Sequence, residues 1–424
     1  MNRKNITLNA DRLLSRLEQL GATGRSQSGV LTRLAASDED RAGRDLLVSW
    51  LEEAGLEVKI DGIGNIFGLW KPPQGHDLSP LMIGSHIDTP INAGILDGCY
   101  GVIAGLEVIQ SLQEAGHTAS RPLMVAAFSN EEGVRYAPDM MGSLVYAGGL
   151  PLDEALATVG TDGTVLGDEL RRIGYLGENQ PGFVTPYAYL ELHIEQGPIL
   201  ERKGIDIGVV ENLQGISWQR VTINGQANHA GTTPMSMRKD AGVAAAKVIT
   251  YLHETACRSE TSVATVGTLS FRPNAINVVP SQTTLTVDLR DPSEQELRKL
   301  EQDLKHFLSE LAADSGLKIE CERLARFEPA EFAPEIVAMI EKIAQNDGLT
   351  TLRMTSGAGH DAQMMARICP SAMIFVQSED GISHNPREHT PTPDLLNGAN
   401  ILLKVILELS RDKNSTQGVG QELR

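Results

Sequence analysis

The chain lacks closely spaced cysteines. Its four, Cys99, Cys257, Cys321 and Cys369, are scattered, with no CxxC pair. That excludes a thiolate metal finger and a dithiol redox motif, and leaves Cys99 to read as a small buried thiol. An excess of basic residues is lacking too. With 37 Lys and Arg against 55 Asp and Glu, the net charge is −18. Nucleic acid and anionic membrane both need basic surface, so neither is an expected partner. No apolar run reaches the roughly 18 residues that span a bilayer. The opening MNRKNITLNADRLLSRLEQL has no sustained apolar core and reads as an amphipathic helix rather than a secretory leader. Repeats and low-complexity stretches are absent. The expectation is a soluble protein of the reducing cytoplasm.

What is present reads as globular. A length of 424 residues predicts two to three domains. Helical spacing predicts helices over 7–21 and 38–55. EVKIDGIGNIFGLW reads as a hairpin, PLMIGSHID and RPLMVAAFSNEEG as strands, with a helix between them ending at Gly116. From Gly215 to Phe327 the character changes. ISWQRVTINGQ, an Ala-rich helix, VATVGTLSFR, TTLTVDLR, a long charged helix and LKIECERLARF run in β-α-β-β-α-β order. The helix PEIVAMIEKIAQNDG and the strand SAMIFVQS follow. The expected fold class is an α/β catalytic domain with a mixed, helix-flanked sheet, residues 1–214 and 328–424. It is interrupted by an inserted α+β (βαββαβ) domain, 215–327. The tail after Ser410 is expected to fray.

The chemistry sits where open α/β sheets put ligands, at strand ends. LMIGSHIDTPINAGILDGCYGV offers His86, Asp88 and Asp97. Glu131 and Glu132 follow PLMVAAFS, His193 closes AYLELH, and His384 sits in GISHNPREH. Hydrolysing an amide at neutral pH needs a strong nucleophile and a stabiliser for the developing oxyanion. A pair of metals bridged by a carboxylate can supply both. His86, Asp97, Glu132, His193 and His384 are the candidate ligands. A carboxylate at Asp88 could accept the other His86 N–H and fix the ligating tautomer. If Glu132 ligates, Glu131 stands next to it as a general base. Each piece alone is bland: a lone His is usually a core residue, and an EE pair usually a solvated helix start. The combination is what points to a site.

The order GSHIDTP, LDGCYGVIAGLEV, FSNEEG, ELHIEQGP, NHAGTTPM, FRPNAINVVP, VDLRD, SGAGHDA and SHNPREHT resembles the M20-type metallohydrolases. Within them it resembles the hydantoinase/carbamoylase group: N-carbamoyl-L-amino acid hydrolases, allantoate amidohydrolases and β-ureidopropionases. The peptidase branches usually carry a carboxylate where His193 stands. The resemblance implies that two divalent cations, Zn²⁺ or Mn²⁺, Co²⁺ or Ni²⁺, share Asp97. His86 and His193 would complete one site, Glu132 and His384 the other, with Glu131 as base. It implies that Asn277 and Arg290 grip a substrate carboxylate, and that His229 stabilises the oxyanion, reaching across a homodimer interface. The inserted domain would then be the dimerisation or lid domain. Gln196, and more weakly Gln214, would hydrogen-bond the ureido group, and the turn at Gly359 would approach the ligand. His360 reads as structural. The loop PINAGIL departs from the family wording by being more apolar, and is expected to bear on substrate choice. The substrate implied is a small carbamoyl or ureido carboxylate. A peptidase or aminoacylase on the same scaffold, and a non-catalytic binding relative, are the competing readings.

Overall fold

The computed structural model describes residues 6–26, 29–73 and 75–411. Apart from Arg411, the tail expected to fray lies outside the described residues. The chain divides into two compact units, Met1–Glu211 with Glu331–Arg424, and Asn212–Ala330.

Its strands are β1 (Glu57–Ile60), β2 (Ile66–Trp70), β3 (Leu81–His86), β4 (Leu123–Phe128), β5 (Ala188–Ile194), β6 (Ile207–Leu213) and β7 (Gly215–Asn224). They continue as β8 (Val263–Thr265), β9 (Leu269–Arg272), β10 (Gln282–Asp291), β11 (Lys318–Phe327), β12 (Ala330–Glu331), β13 (Thr351–Ser356) and β14 (Ser371–Val376). The larger sheet runs β1-β2-β4-β3-β5-β14-β6-β12, with β13 also on β6. It is mixed. Its centre, β4-β3-β5-β14, is parallel, while β1, β2 and β6 pair antiparallel at its flanks.

Every residue of the four central strands is buried. That is why LMIGSH, LMVAAF and SAMIFV read as unbroken apolar runs and do not alternate. The helix Cys99–Glu114 packs on β3, β4 and β5, and the helix Thr392–Leu409 packs on β14. The helix Asp38–Glu53 starts where the Ser37 side chain accepts the Asp40 N–H, with Asp38, Glu39 and Asp40 in its first turn. After β3 the chain adds β4 on one side of β3. It then crosses to add β5 on the other. Such a reversal opens a crevice at the carboxyl ends of the strands.

In the second unit the sheet runs β11-β7-β10-β8. Burial alternates along β10, so Leu285, Val287 and Leu289 enter a core with the Ala-rich helix Ala241–Cys257 and the helix Glu294–Ser315. The sequence predicts VATVGTLSFR as one strand. The structure breaks it into β8 and β9, which pair in turn with the same edge of β10. At the break, the Thr268 N–H donates to Thr286 Oγ1 at 3.1 Å, a side chain standing in for a ladder carbonyl.

Candidate metal centre

The candidate ligands collect at the carboxyl ends of the parallel strands. His86 is the last residue of β3, His193 lies near the end of β5, and Glu131 and Glu132 follow β4. His384 comes from the loop after β14. Asp97 lies in the turn entering the helix Cys99–Glu114. Gly98 makes that turn at φ 64°. A Cβ on it would stand 2.4 Å from His86 Nε2, so only glycine lets the turn lie against the ring.

Two trios share Asp97: His86, Asp97 and His193, and Asp97, Glu132 and His384, each with ligand atoms within 4.8 Å of one another. Asp97 Oδ1 is 3.1 Å from His193 Nε2 and 3.8 Å from His86 Nε2. Its Oδ2 is 3.0 Å from His384 Nε2, which is 3.5 Å from Glu132 Oε2. Glu131 Oε2 is 3.3 Å from His86 Nε2. Gln196 Nε2 donates to Asp97 Oδ2 at 2.9 Å.

Ring orientation suits ligation through Nε2. His86 Nδ1 lies 3.0 Å from the Asp88 carbonyl, and His193 Nδ1 lies 2.8 Å from the Ile194 carbonyl. Each carbonyl can accept the Nδ1–H, which turns Nε2 toward the cluster. Burial lowers His86 to about 4. Burial works against charge on His193 as well, but its bonded partner Asp97 outweighs it and raises the ring to about 9. Burial, with Glu132 beside it, holds the Glu131 carboxyl well above the usual carboxylate range.

Residues 82–408 match the model of peptidase family M20/M25/M40. The chain belongs to that family. It is 37% identical to the N-carbamoyl-L-amino-acid amidohydrolase of Rhizobium meliloti, over 96% of this chain and 97% of the relative. It is 34% identical to the allantoate amidohydrolase of Escherichia coli, over 94% and 97%. A solved amidase of the hydantoinase/carbamoylase family from Burkholderia multivorans superposes with a TM-score of 0.90 at 39% identity, over 96% of this chain and 99% of that one. The resemblance read from the motifs is thus borne out at the level of family and group.

In this M20 chain Asp88 is placed differently from expectation. Its carboxylate does not take the His86 N–H. It accepts the backbone N–H groups of Glu131 and Glu132 at 3.2 and 3.3 Å, and its main-chain carbonyl serves His86. The turn after β3 points the side chain across to the turn after β4, so Asp88 steadies the glutamate pair. The apolar loop PINAGIL is partly packed into the fold. Ala93 pairs with Leu31, Leu96 is buried, and Ile95 fills a notch on the helix Ala10–Ala22 at Gly21. Gly359 packs on Met140. Its neighbour His360 meets the His193 ring edge-on, with centroids 4.4 Å apart, and its Nε2 lies 3.1 Å from Ser356 Oγ.

Several supporting residues carried no role in the sequence. Buried Glu191 accepts from Ser85 Oγ at 2.7 Å and the Ala362 N–H at 2.8 Å. Buried Arg33 donates to the carbonyls of Ile87, Leu20 and Thr23 and reaches Cys99 Sγ at 3.2 Å, tying the end of β3 to the first helix. Glu388 is buried against the loop that carries Asp97. Its signal was its place in the His384 motif.

Gln214, His229, Asn277 and Arg290 belong to the second unit. The loops of His229 and Asn277 lie together: the Ala230 N–H donates to the Asn277 carbonyl at 2.9 Å, and the Val279 N–H to the Asn228 carbonyl at 2.8 Å. Arg290 is elsewhere. It sits near the far end of β10, paired with Asp288 at 2.9 Å. Half-buried Gln214 links β6 to β7.

Proposed function

We propose that this chain is a metal-dependent amidohydrolase that cleaves the carbamoyl or ureido C–N bond of a small carboxylate. The observation that carries the reading is a pair of ligand trios sharing Asp97, with Glu131 beside them. The residues fit metal ions. Glu132 Oε1 is buried without a hydrogen-bond partner, a costly state for a carboxylate oxygen that a cation would relieve. Imidazole with carboxylate, and no thiolate, suits Zn²⁺, Mn²⁺, Co²⁺ or Ni²⁺. His86, Asp97 and His193 would hold one ion; Asp97, Glu132 and His384 the other. When bound, such ions polarise a carbonyl and acidify water.

Glu131 takes the proton of the attacking water at its carboxylate and returns it to the leaving nitrogen. Its position favours this, since Glu131 Oε2 stands 3.3 Å from His86 Nε2 at the edge of the cluster. Asp88 holds the Glu131–Glu132 turn during the transfer. Gln196, with Gln214 and the Gly359 turn, orients the ureido group. Arg290 and Asn277 bind the carboxylate, where a guanidinium fork matches two oxygens, and His229 donates to the oxyanion. With an N-carbamoyl amino acid, one water yields the amino acid, ammonia and carbon dioxide.

The second unit supports a homodimer. Gln282 of β10 pairs with Arg272, at the base of the Asn277 loop. Arg290 lies eight residues further along the strand, roughly 26 Å at the usual rise. A small carboxylate cannot touch both ends in one copy. His229 and Asn277 would therefore serve the site of a second copy, with the inserted unit as the dimerisation domain. Among the described residues no helix is long and apolar enough to cross a membrane, and we place the enzyme in the cytoplasm. The test is a panel of N-carbamoyl amino acids, allantoate, N-acyl amino acids and dipeptides, with metal-depleted protein as control. Ammonia release from the first two classes is expected. Turnover of only N-acyl or dipeptide substrates would replace this reading with a peptidase or aminoacylase.

A further inference from the structure

Glu388 is 8% exposed, and both its oxygens are engaged. Oε1 accepts the N–H of Leu96 at 2.9 Å and of Asp97 at 3.2 Å. Oε2 accepts the Ser383 hydroxyl at 3.1 Å. Ser383 Oγ lies 3.3 Å from Gln196 Nε2, which donates to Asp97 Oδ2 at 2.9 Å. A ring of hydrogen bonds is thereby closed. It runs from the Asp97 main chain through Glu388, Ser383 and Gln196 to the Asp97 side chain. It joins the loop bearing Asp97 to the loop bearing His384. Gly94 is shaped to the same junction: a Cβ there would stand 2.3 Å from Glu388 Cβ and Oε1. Charge alone disfavours the arrangement, because a second buried carboxylate beside Asp97 adds repulsion. The gain is geometric, since Glu388 fixes the backbone that aims Asp97.

We propose that Glu388 is a positioning residue of the metal centre. It locks the Leu96–Asp97 peptide to the Ser383–His384 loop, so that the shared carboxylate and the His384 imidazole are held in ligating geometry. This rests on the metal reading above. His86 and His193 stand on strands and keep their places without it, whereas His384 stands on a loop at φ 53°. Loss of Glu388 therefore weakens the Asp97–Glu132–His384 site more than the His86–Asp97–His193 site.

The test titrates metal-depleted full-length protein with Co²⁺, following visible absorption and equilibrium dialysis, alongside a thermal melt. Glu388→Ala should keep one tight ion and bind the second at least about tenfold more weakly, the usual scale for losing a partner of a ligand. Glu388→Gln keeps an acceptor for the two N–H groups and a polar contact for Ser383, so it should recover most of that affinity. Gly94→Ala presses on the same carboxylate from the other loop and should imitate Glu388→Ala. Two Co²⁺ bound by Glu388→Ala as tightly as by wild type, with only the melt lowered, would overturn the proposal. So would Gly94→Ala with both affinities intact, a result that stands even if Glu388→Ala does not fold. Wild-type protein that binds no Co²⁺ would instead sink the metal reading itself.

Discussion

Glu131 and Gln have nearly the same shape, so Glu131→Gln removes a proton acceptor and little else. Metal content should stay as in wild type, while kcat falls roughly a hundred- to ten-thousandfold. Metal analysis with steady-state kinetics checks both, and a lost ion would make Glu131 a ligand. Arg290→Lys keeps the charge but loses the two-pronged donor set. With carboxylate substrates kcat/KM should drop at least about tenfold, one buried hydrogen-bonded charge contact at the low end of roughly 2–5 kcal/mol. An amide analogue should lose far less; equal losses would make the residue structural. His193 carries a pH prediction. Asp97 raises it to about 9, so below that pH an entering cation must displace a proton. Metal affinity should therefore fall as pH drops below 9, with proton release visible by calorimetry in buffers of different ionisation enthalpy. In metal-free protein the same pair stabilises the fold fully below the unfolded imidazole value of about 6.5. That contribution is lost as pH rises through the folded value.

The turn entering the helix Cys99–Glu114 shows what an element demands of one residue. Gly98 combines φ 64° with an imidazole where its Cβ would be. Gly116, closing the same helix, has φ 65° but nothing within 4 Å of its Cβ position. Gly116→Ala should cost about 1–2 kcal/mol, the left-handed penalty alone, and leave metal binding untouched. Gly98→Ala should add displacement of His86 and lower metal affinity. Melting curves and metal content of the two variants separate the effects, and equal metal content would mean the ring yields freely. Elements with a strong local signal were legible: the hairpin β1–β2 by its turn, the buried parallel strands by their apolar runs, and the main helices by their period. The short helices Met141–Tyr146, Leu152–Leu156 and Leu166–Ile173 were not. At five to eight residues they hold by tertiary packing and are too short for a periodic signal.

At the scale of the molecule, buried acid dominates. Asp88, Asp97, Glu131, Glu191 and Asp361 are all buried in the larger unit. Cations would offset their repulsion, so chelation should abolish activity and lower the melting temperature, with both restored by adding back Zn²⁺, Mn²⁺, Co²⁺ or Ni²⁺. Ions bound at a hundred times their Kd add about 2.7 kcal/mol. Full activity in rigorously metal-free protein would refute this. The proposed dimer is tested at this scale too. Sedimentation should show a two-copy species, and a fully active monomer would refute the role proposed for His229 in a neighbouring site.

Residue identity at the ends of apolar runs was enough to single out the candidate ligands and the candidate base, and the order of the motifs carried the resemblance to the family. Imidazoles and carboxylates at the ends of apolar runs have few other uses in combination, and a parallel strand delivers its last residue to one edge of the sheet wherever that strand lies. Which atom of each residue does the work was decided only by the tertiary structure. Asp88 turned out to offer its carbonyl to His86 and its carboxylate to the Glu131–Glu132 turn. PINAGIL read as a more apolar loop bearing on substrate choice, and its Ile95 packs on the first helix at Gly21. Glu388 reaches the Asp97 N–H across 291 residues of sequence. Those outcomes depend on turn conformations and on contacts between loops distant in the chain, and local spacing carries neither.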